Sequence, residues 1–172
     1  MVSLASDGSQ ANLGAGEYNT AISGDGRYVV FESRSTNLVP DDINDSSDIF
    51  VRDRDSGQTK IVSIATDGTL GNSDSYFPSI SADGIHIAFA SNASNLVSDD
   101  TNDKMDVFVH NQVSGETTRI SVASDGTQGD NISQTPSISA DGRYVAFSSA
   151  ASNFAPTEPF ISFVFVHDRD TG

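Results

Sequence analysis

Ile22-Ser23-Gly24-Asp25-Gly26-Arg27-Tyr28-Val29-Val30-Phe31 returns as Ile80-Ser81-Ala82-Asp83-Gly84-Ile85-His86-Ile87-Ala88-Phe89, and again as Ile138-Ser139-Ala140-Asp141-Gly142-Arg143-Tyr144-Val145-Ala146-Phe147. The starts are 58 residues apart both times (80−22 and 138−80). Residues 22–79 and 80–137 are identical at 28 of 58 ungapped positions, so the repeat sets the architecture. Two further elements keep the same clock. One reads Asp48-Ile49-Phe50-Val51, Asp106-Val107-Phe108-Val109 and, one residue short, Phe163-Val164-Phe165-Val166. The other reads Val2-Ser3-Leu4-Ala5-Ser6-Asp7-Gly8, Val62-Ser63-Ile64-Ala65-Thr66-Asp67-Gly68 and Ile120-Ser121-Val122-Ala123-Ser124-Asp125-Gly126.

Each unit holds four strand-sized runs. The Asp-Gly step makes a tight hairpin between the first two, because Gly tolerates the positive φ that such turns need. The second run (Tyr144, Val145, Ala146, Phe147) and the third (Val107, Phe108, Val109) are apolar on consecutive residues. Strands of that kind are covered on both faces. The fourth run alternates, with Ile120 and Val122 against Arg119, Ser121 and Ala123, as an edge strand does. No segment shows a capped 3.6-residue apolar period, so the fold class is all-β. A β-sandwich would leave one face of each strand wet and alternate more cleanly. Four antiparallel strands with a doubly covered middle pair describe a β-propeller blade.

At this point the chain resembles a known family. Ser139-Ala140-Asp141-Gly142-Arg143-Tyr144-Val145-Ala146-Phe147 is similar to the Ser-Pro-Asp-Gly-Lys-x-Ile-Ala-Phe signature of TolB-like, WD-like propeller repeats. The longer frame resembles repeats of large secreted or envelope bacterial proteins, which implies an extracytoplasmic location with the export signal outside these residues. The resemblance implies blade type and leaves activity open, since such propellers host many functions.

Propellers close with about 4–8 blades. The expected organisation is one three-blade unit over residues 1–172, with repeats at 22–79, 80–137 and 138–172. Residues 2–6 are expected to supply an outer strand to a terminal blade. Two chains head to tail then close a six-bladed ring, so the expected partner is a second copy, in a homodimer.

Composition narrows the ligands. The 172 residues carry 9 Lys+Arg against 24 Asp+Glu, a net charge of -15, and no cysteine. Thiolate metal sites and cysteine catalysis are excluded. Such charge repels phosphate backbones, so nucleic acid is not an expected partner. No apolar run of about 18 residues exists for membrane insertion. Twenty of the 24 acids are Asp, a residue of turns and caps.

Two loops before the third strands are dense in oxygen ligands. Asp42, Asn44, Ser46 and Asp48 fit the alternate spacing that Ca²⁺ accepts, and Asp100, Asn102 and Asp106 form a second candidate set with Lys104 in place of Ser46. The same residues can equally cap their own turns. No cofactor is therefore expected as a requirement, and calcium is the candidate that these loops offer.

Positions that break the repeat are the better place for function. Glu17 stands where Ser75 and Ser133 stand, after a stretch two residues longer than its counterparts. Arg34 replaces Asn92 and Ala150, and His86 replaces Tyr28 and Tyr144. Tyr18, Tyr76 and Phe77 lie on first strands, where they can stack on a ligand or pack between blades. His110 and His167 read as rim residues. No Gly-x-Ser-x-Gly elbow occurs. The expectation is a non-enzymatic recognition module for a protein segment or polysaccharide, with Glu17, Tyr18, Tyr76, Phe77 and His86 as candidate ligand residues. A glycan hydrolase using Glu17, Asp74 and Asp130, or a purely structural fragment, are the alternatives.

Overall fold

The computed structural model describes residues 1–155 and 161–172, and at positions 17 and 18 the backbone alone. It contains eleven strands and no helix among the described residues. Blade 1 is β1 (Ala15–Ile22), β2 (Tyr28–Ser33), β3 (Asp48–Asp53) and β4 (Gln58–Ile61), hydrogen-bonded in that order. Blade 2 repeats it with β5 (Ser75–Ile80), β6 (His86–Ser91), β7 (Asp106–Asn111) and β8 (Thr117–Arg119). Blade 3 is β9 (Ser133–Ile138), β10 (Tyr144–Ser149) and β11 (Phe163–Asp168). Every pairing is antiparallel.

The repeated Ser-x-Asp-Gly motif builds the β1–β2 hairpin by side-chain wiring. The Ser23 hydroxyl donates to Asp25 Oδ1 (2.6 Å) and accepts from the Tyr28 amide (2.9 Å). Asp25 accepts from the Arg27 amide as well (2.9 Å). Gly26 takes φ 74°, and the same turn recurs at Gly84 (75°) and Gly142 (74°).

Consecutive apolar residues divide between two neighbours. Val30, Ile49 and Val51 of blade 1 pack against Ile87, Phe89 and Phe108 of blade 2. Val107 and Val109, on the other face of blade 2, pack with Val145 and Phe147 of blade 3. Phe31–Phe50 and Phe89–Phe108 stack at 5.9 and 6.0 Å. Beyond blade 3 the stack stops: Val164 and Val166 are 77% and 64% exposed, where the equivalent Val107 and Val109 are 0% and 1%.

The outer strands differ from expectation. They lie at Gln58–Ile61 and Thr117–Arg119, and Val122 forms only an isolated bridge to Gln128. Pairing ends where the Ile120 amide donates to Val107 O (2.7 Å), after which the chain crosses to the next blade. Residues 2–6, the counterpart of that crossover, also form no strand: Leu4 bridges to Gln10, and Leu4 and Ser6 fasten blade 1 instead.

That fastening is a repeated clasp. The Thr59 amide donates to Ser6 Oγ (3.0 Å) and its hydroxyl to Leu4 O. In blade 2 the Thr117 amide donates to Thr66 Oγ1 (3.0 Å) and its hydroxyl to Ile64 O (2.6 Å). Because the Thr117 hydroxyl spends its proton on Ile64, His110 Nδ1, 2.9 Å away, must carry the proton of the bond between them. His110 is 5% exposed, a buried latch residue and not the expected rim residue.

Burial pushes the His110 pKa down from 6.5 to about 4. The fold holds this imidazole neutral while the unfolded chain protonates it near 6.5, so its contribution is lost as pH falls from about 6.5 to about 4. The loss is of order 3 kcal/mol. Asp48, raised to about 6, contributes with opposite sign in the same window, so the comparison has to be with a variant. Chemical denaturation from pH 7 to 4 is expected to show this loss in the native chain and not in His110→Gln; parallel curves would refute it.

Candidate functional site

The inner strands carry the departures from the repeat. In β5 one extra residue sits between the Tyr76↔Ala90 and Ser79↔Ala88 pairs, and Phe77 takes φ 55° there. Thr135 adopts 52° at the same place in β9. A left-handed backbone costs a side-chain-bearing residue about 1–2 kcal/mol. The bulge sets the Phe77 ring beside Tyr76, centroids 6.0 Å apart. In β1, Ala15 pairs with Ser33 and Thr20 with Phe31, so the two surplus residues widen this bulge and do not lengthen the preceding loop. Glu17 and Tyr18 lie within it; their side chains fall outside the described residues.

Between blades 1 and 2 the bulge borders a cleft of about 390 Å³ lined by Leu13, Gly16, Glu32, Arg34, Ser47 and Tyr76. Arg34 Nη2 reaches Asp74 Oδ2 at 3.1 Å, and the Tyr76 hydroxyl donates to the same oxygen at 2.9 Å. The other Asp74 oxygen accepts from the Ser47 amide (2.7 Å), which anchors the acidic loop of blade 1. Desolvation, helped by Asp74, raises the Tyr76 pKa, so the phenol stays a donor. Arg34 is 59% and Asp74 30% exposed at the side chain, leaving the ion pair open to solvent. Asp130 is held elsewhere by Ser152 and Asn153. Of the expected trio, Asp74 and Asp130 are thus not joined by any described contact, and the Glu17 side chain lies outside the described residues.

His86 packs over the Asp-Gly turn of the next blade, where its ring leaves no space for a Cβ on Gly142. It is an interblade residue, with its pKa lowered by burial and by Arg169.

The acidic loops divide into turn-makers and buried carboxylates. Asn44 Oδ1 accepts from the Ser46 amide (3.0 Å), its amide donates to Gly71 O (2.9 Å), and Ser46 Oγ donates back to Asn44 O. Asn102 repeats this, accepting from the Lys104 amide (2.8 Å) and donating to Gly129 O (2.8 Å). The alternate oxygens are thus turned into the loop. Asp42 and Asp48, by contrast, are 6% and 0% exposed. Asp48 Oδ1 accepts from Ser63 Oγ (2.6 Å). Burial pushes the Asp48 pKa up to about 6, with Ser63 and the nearby Asn44 amide offsetting part of the rise. Burial likewise raises Asp42 and Asp106. Among the described residues no three acidic or histidine side chains form a metal-binding group.

Sequence reasoning singles out Arg34 and Tyr76 but not Asp74 as the oxygen that joins them. Arg34 and Asp74 are 40 residues apart and meet only through blade stacking. It also passes over Ile61 and Leu70, which look like ordinary outer-strand and linker residues.

No family model matches the chain, and no curated protein matches its sequence. Among solved structures it is similar to the putative TolB from Agrobacterium tumefaciens, with TM-score 0.55, 22% identity, 88% of this chain and 45% of that chain covered. A prolyl endopeptidase gives TM-score 0.54 at 17% identity, over 91% of this chain and 20% of that one. The tricorn protease gives 0.51 at 14%, over 87% and 14%. The chain thus spans less than half the length of these proteins. With its stacked antiparallel sheets of four, four and three described strands, it has the fold of a TolB-like β-propeller, of which it forms three consecutive blades.

Proposed function

We propose that the chain is a non-enzymatic recognition module that binds a protein segment or polysaccharide at the cleft beside Arg34 and Tyr76. One observation carries this reading: Arg34 and Asp74 both depart from the repeat, and they meet at Tyr76. In the next repeat these three positions hold Asn92, Ile132 and Gln134, which carry no charge and cannot form that cluster. A half-exposed guanidinium beside a tyrosine ring offers planar donors and a stacking face, which suit a carboxylate, a peptide or a sugar. Against hydrolysis, Asp74 is committed to Arg34, Tyr76 and Ser47. Retention on a glycan or peptide panel without turnover, reduced at least tenfold by Arg34→Ala, is the expected result. Turnover abolished by Glu17→Gln would make the chain a hydrolase instead. Its resemblance to secreted and envelope repeats favours a site of action outside the cytoplasm.

The binding form is a ring closed by a second copy. Gly24 donates its amide to Ala82 O, and Ala82 donates to Ala140 O, both at 2.9 Å. Tyr28 lies on Gly84, and His86 on Gly142. The series ends with the Ala140 amide and a 40% exposed Tyr144 on one side, and Gly24 O and Gly26 on the other. Head-to-tail pairing continues the series through six blades with closed two-fold symmetry. Native mass spectrometry is expected to give twice 18.1 kDa. A monomer with dispersed folded spectra would remove this assembly.

A further inference from the structure

The two acidic loops are the same loop with different neighbours. In blade 2, Gln128 Nε2 donates to Asp100 Oδ1 (2.8 Å) and to Asp106 Oδ2 (3.0 Å), so one nitrogen joins both carboxylates. Arg119 stands beside them, its side chain 5% exposed, with Nη1 3.9 Å from Asp100 Oδ1 and Nη2 2.9 Å from Asp99 Oδ2. Blade 2 therefore brings its own positive charge and its own bridging donor to two buried acids.

Blade 1 keeps the acids and loses both partners. Asp42 and Asp48 stand at the positions of Asp100 and Asp106, 58 residues earlier, but Ile61 replaces Arg119 and Leu70 replaces Gln128. Ser46 also replaces Lys104. The first two changes strip donors from one pocket, and the third removes a nearby positive charge from the same loop. Asp42 Oδ1 and Asp48 Oδ2 are buried without a hydrogen-bond partner. By the repeat, the two acids occupy the places of Asp100 and Asp106, which one Gln128 nitrogen reaches at 2.8 and 3.0 Å. Two buried carboxylates without a counter-charge are costly, and in structures such charges are paired or bind metals.

We infer that Asp42 and Asp48 hold a hard divalent cation, which takes the place that Gln128 and Arg119 fill in blade 2. Its ligands are Asp42 Oδ1 and Asp48 Oδ2, with water completing the shell, because Asn44 and Ser46 are committed to the turn. Only two protein carboxylates take part, which points to weak binding, with Kd of about 10⁻⁴–10⁻³ M. The cation would tie the acidic loop to β3 next to Ser47, whose amide holds Asp74.

Calorimetric titration with CaCl₂ and with MgCl₂, against chelator-treated full chain, tests this directly. The expected result is one site in that range for at least one ion, and a melting temperature that rises with the ion. Transplanting blade 2's neighbours in the double variant Ile61→Arg, Leu70→Gln should weaken binding at least tenfold, and Asp42→Asn should do the same. Should Asp42→Asn fail to fold, the double variant asks the same question with residues that blade 2 already accommodates. Neither heat nor a change in melting temperature with either ion overturns the site. So does binding that survives the double variant, since it would come from the diffuse acidic surface.

Discussion

Gly84→Ala is expected to cost about 3 kcal/mol, from a left-handed backbone (about 1–2) and overpacking (about 1–3). A Cβ at Gly84 would lie 2.3 Å from Tyr28 Cδ2, inside the van der Waals envelope of a ring that packs into the interface between blades 1 and 2. The turn cannot give way, because Ser81 and Asp83 hold it by hydrogen bonds to the His86 and Ile85 amides. Gly126 is the control: its φ of 83° is as left-handed, and a Cβ there meets nothing within 4 Å. Gly126→Ala should therefore cost only the backbone share, about 1 kcal/mol. At about 2–4 °C per kcal/mol for a chain of this size, the two melting temperatures should fall by roughly 9 °C and 3 °C. Equal shifts would mean that the Tyr28 contact carries no weight.

Phe108→Ala is the second large effect, about 4 kcal/mol by the usual cost of removing a buried aromatic ring. Phe108 is wholly buried, stacks on Phe89, and faces Val51 and Ile49 across the blade interface. Phe165 occupies the same repeat position in blade 3, packed on Phe147 and Phe154 but beside an open edge. It is only partly buried, and Phe165→Ala should cost about half as much. A domain stable by about 5–15 kcal/mol survives the second change far more readily than the first. Urea midpoints for the two variants decide this; equal losses would show that blade 3 is as well packed as blade 2.

The repeat made the blade legible because its signals are local. Ser23, Asp25 and Gly26 make a turn within six residues, and Val107-Phe108-Val109 announces two covered faces by its composition alone. The clasp was not legible. Thr59 and Thr117 read as ordinary strand threonines, and their partners lie 51 or more residues away. Leu4 to Ser6 kept the period of the outer-strand region, but the period marks equivalence and not pairing, so the strand expected there became a latch. The ligand spacing at Asp42, Asn44, Ser46 and Asp48 was visible, yet spacing does not say which oxygen a backbone amide has already taken. Comparing the neighbours of equivalent residues did what spacing could not. Ile61 and Leu70 became informative only once Arg119 and Gln128 were seen beside the same two acids.

The clasp also bears on how the molecule meets other chains. β4 and β8 are the outermost strands of their sheets, and an outer strand normally presents a row of amides on which another β-strand can grow. At Thr59 and Thr117 that outward amide is already taken, by Ser6 and Thr66. One outward amide on the outer strand of each of blades 1 and 2 is thereby withheld from strand addition, which disfavours edge-to-edge aggregation of an otherwise all-β chain. Among the described residues β11 has no such guard, and Ser124, the counterpart of Ser6 and Thr66, stands beside it at a groove shared with His167. Among the described outer strands, β11 is the one left most open to further pairing.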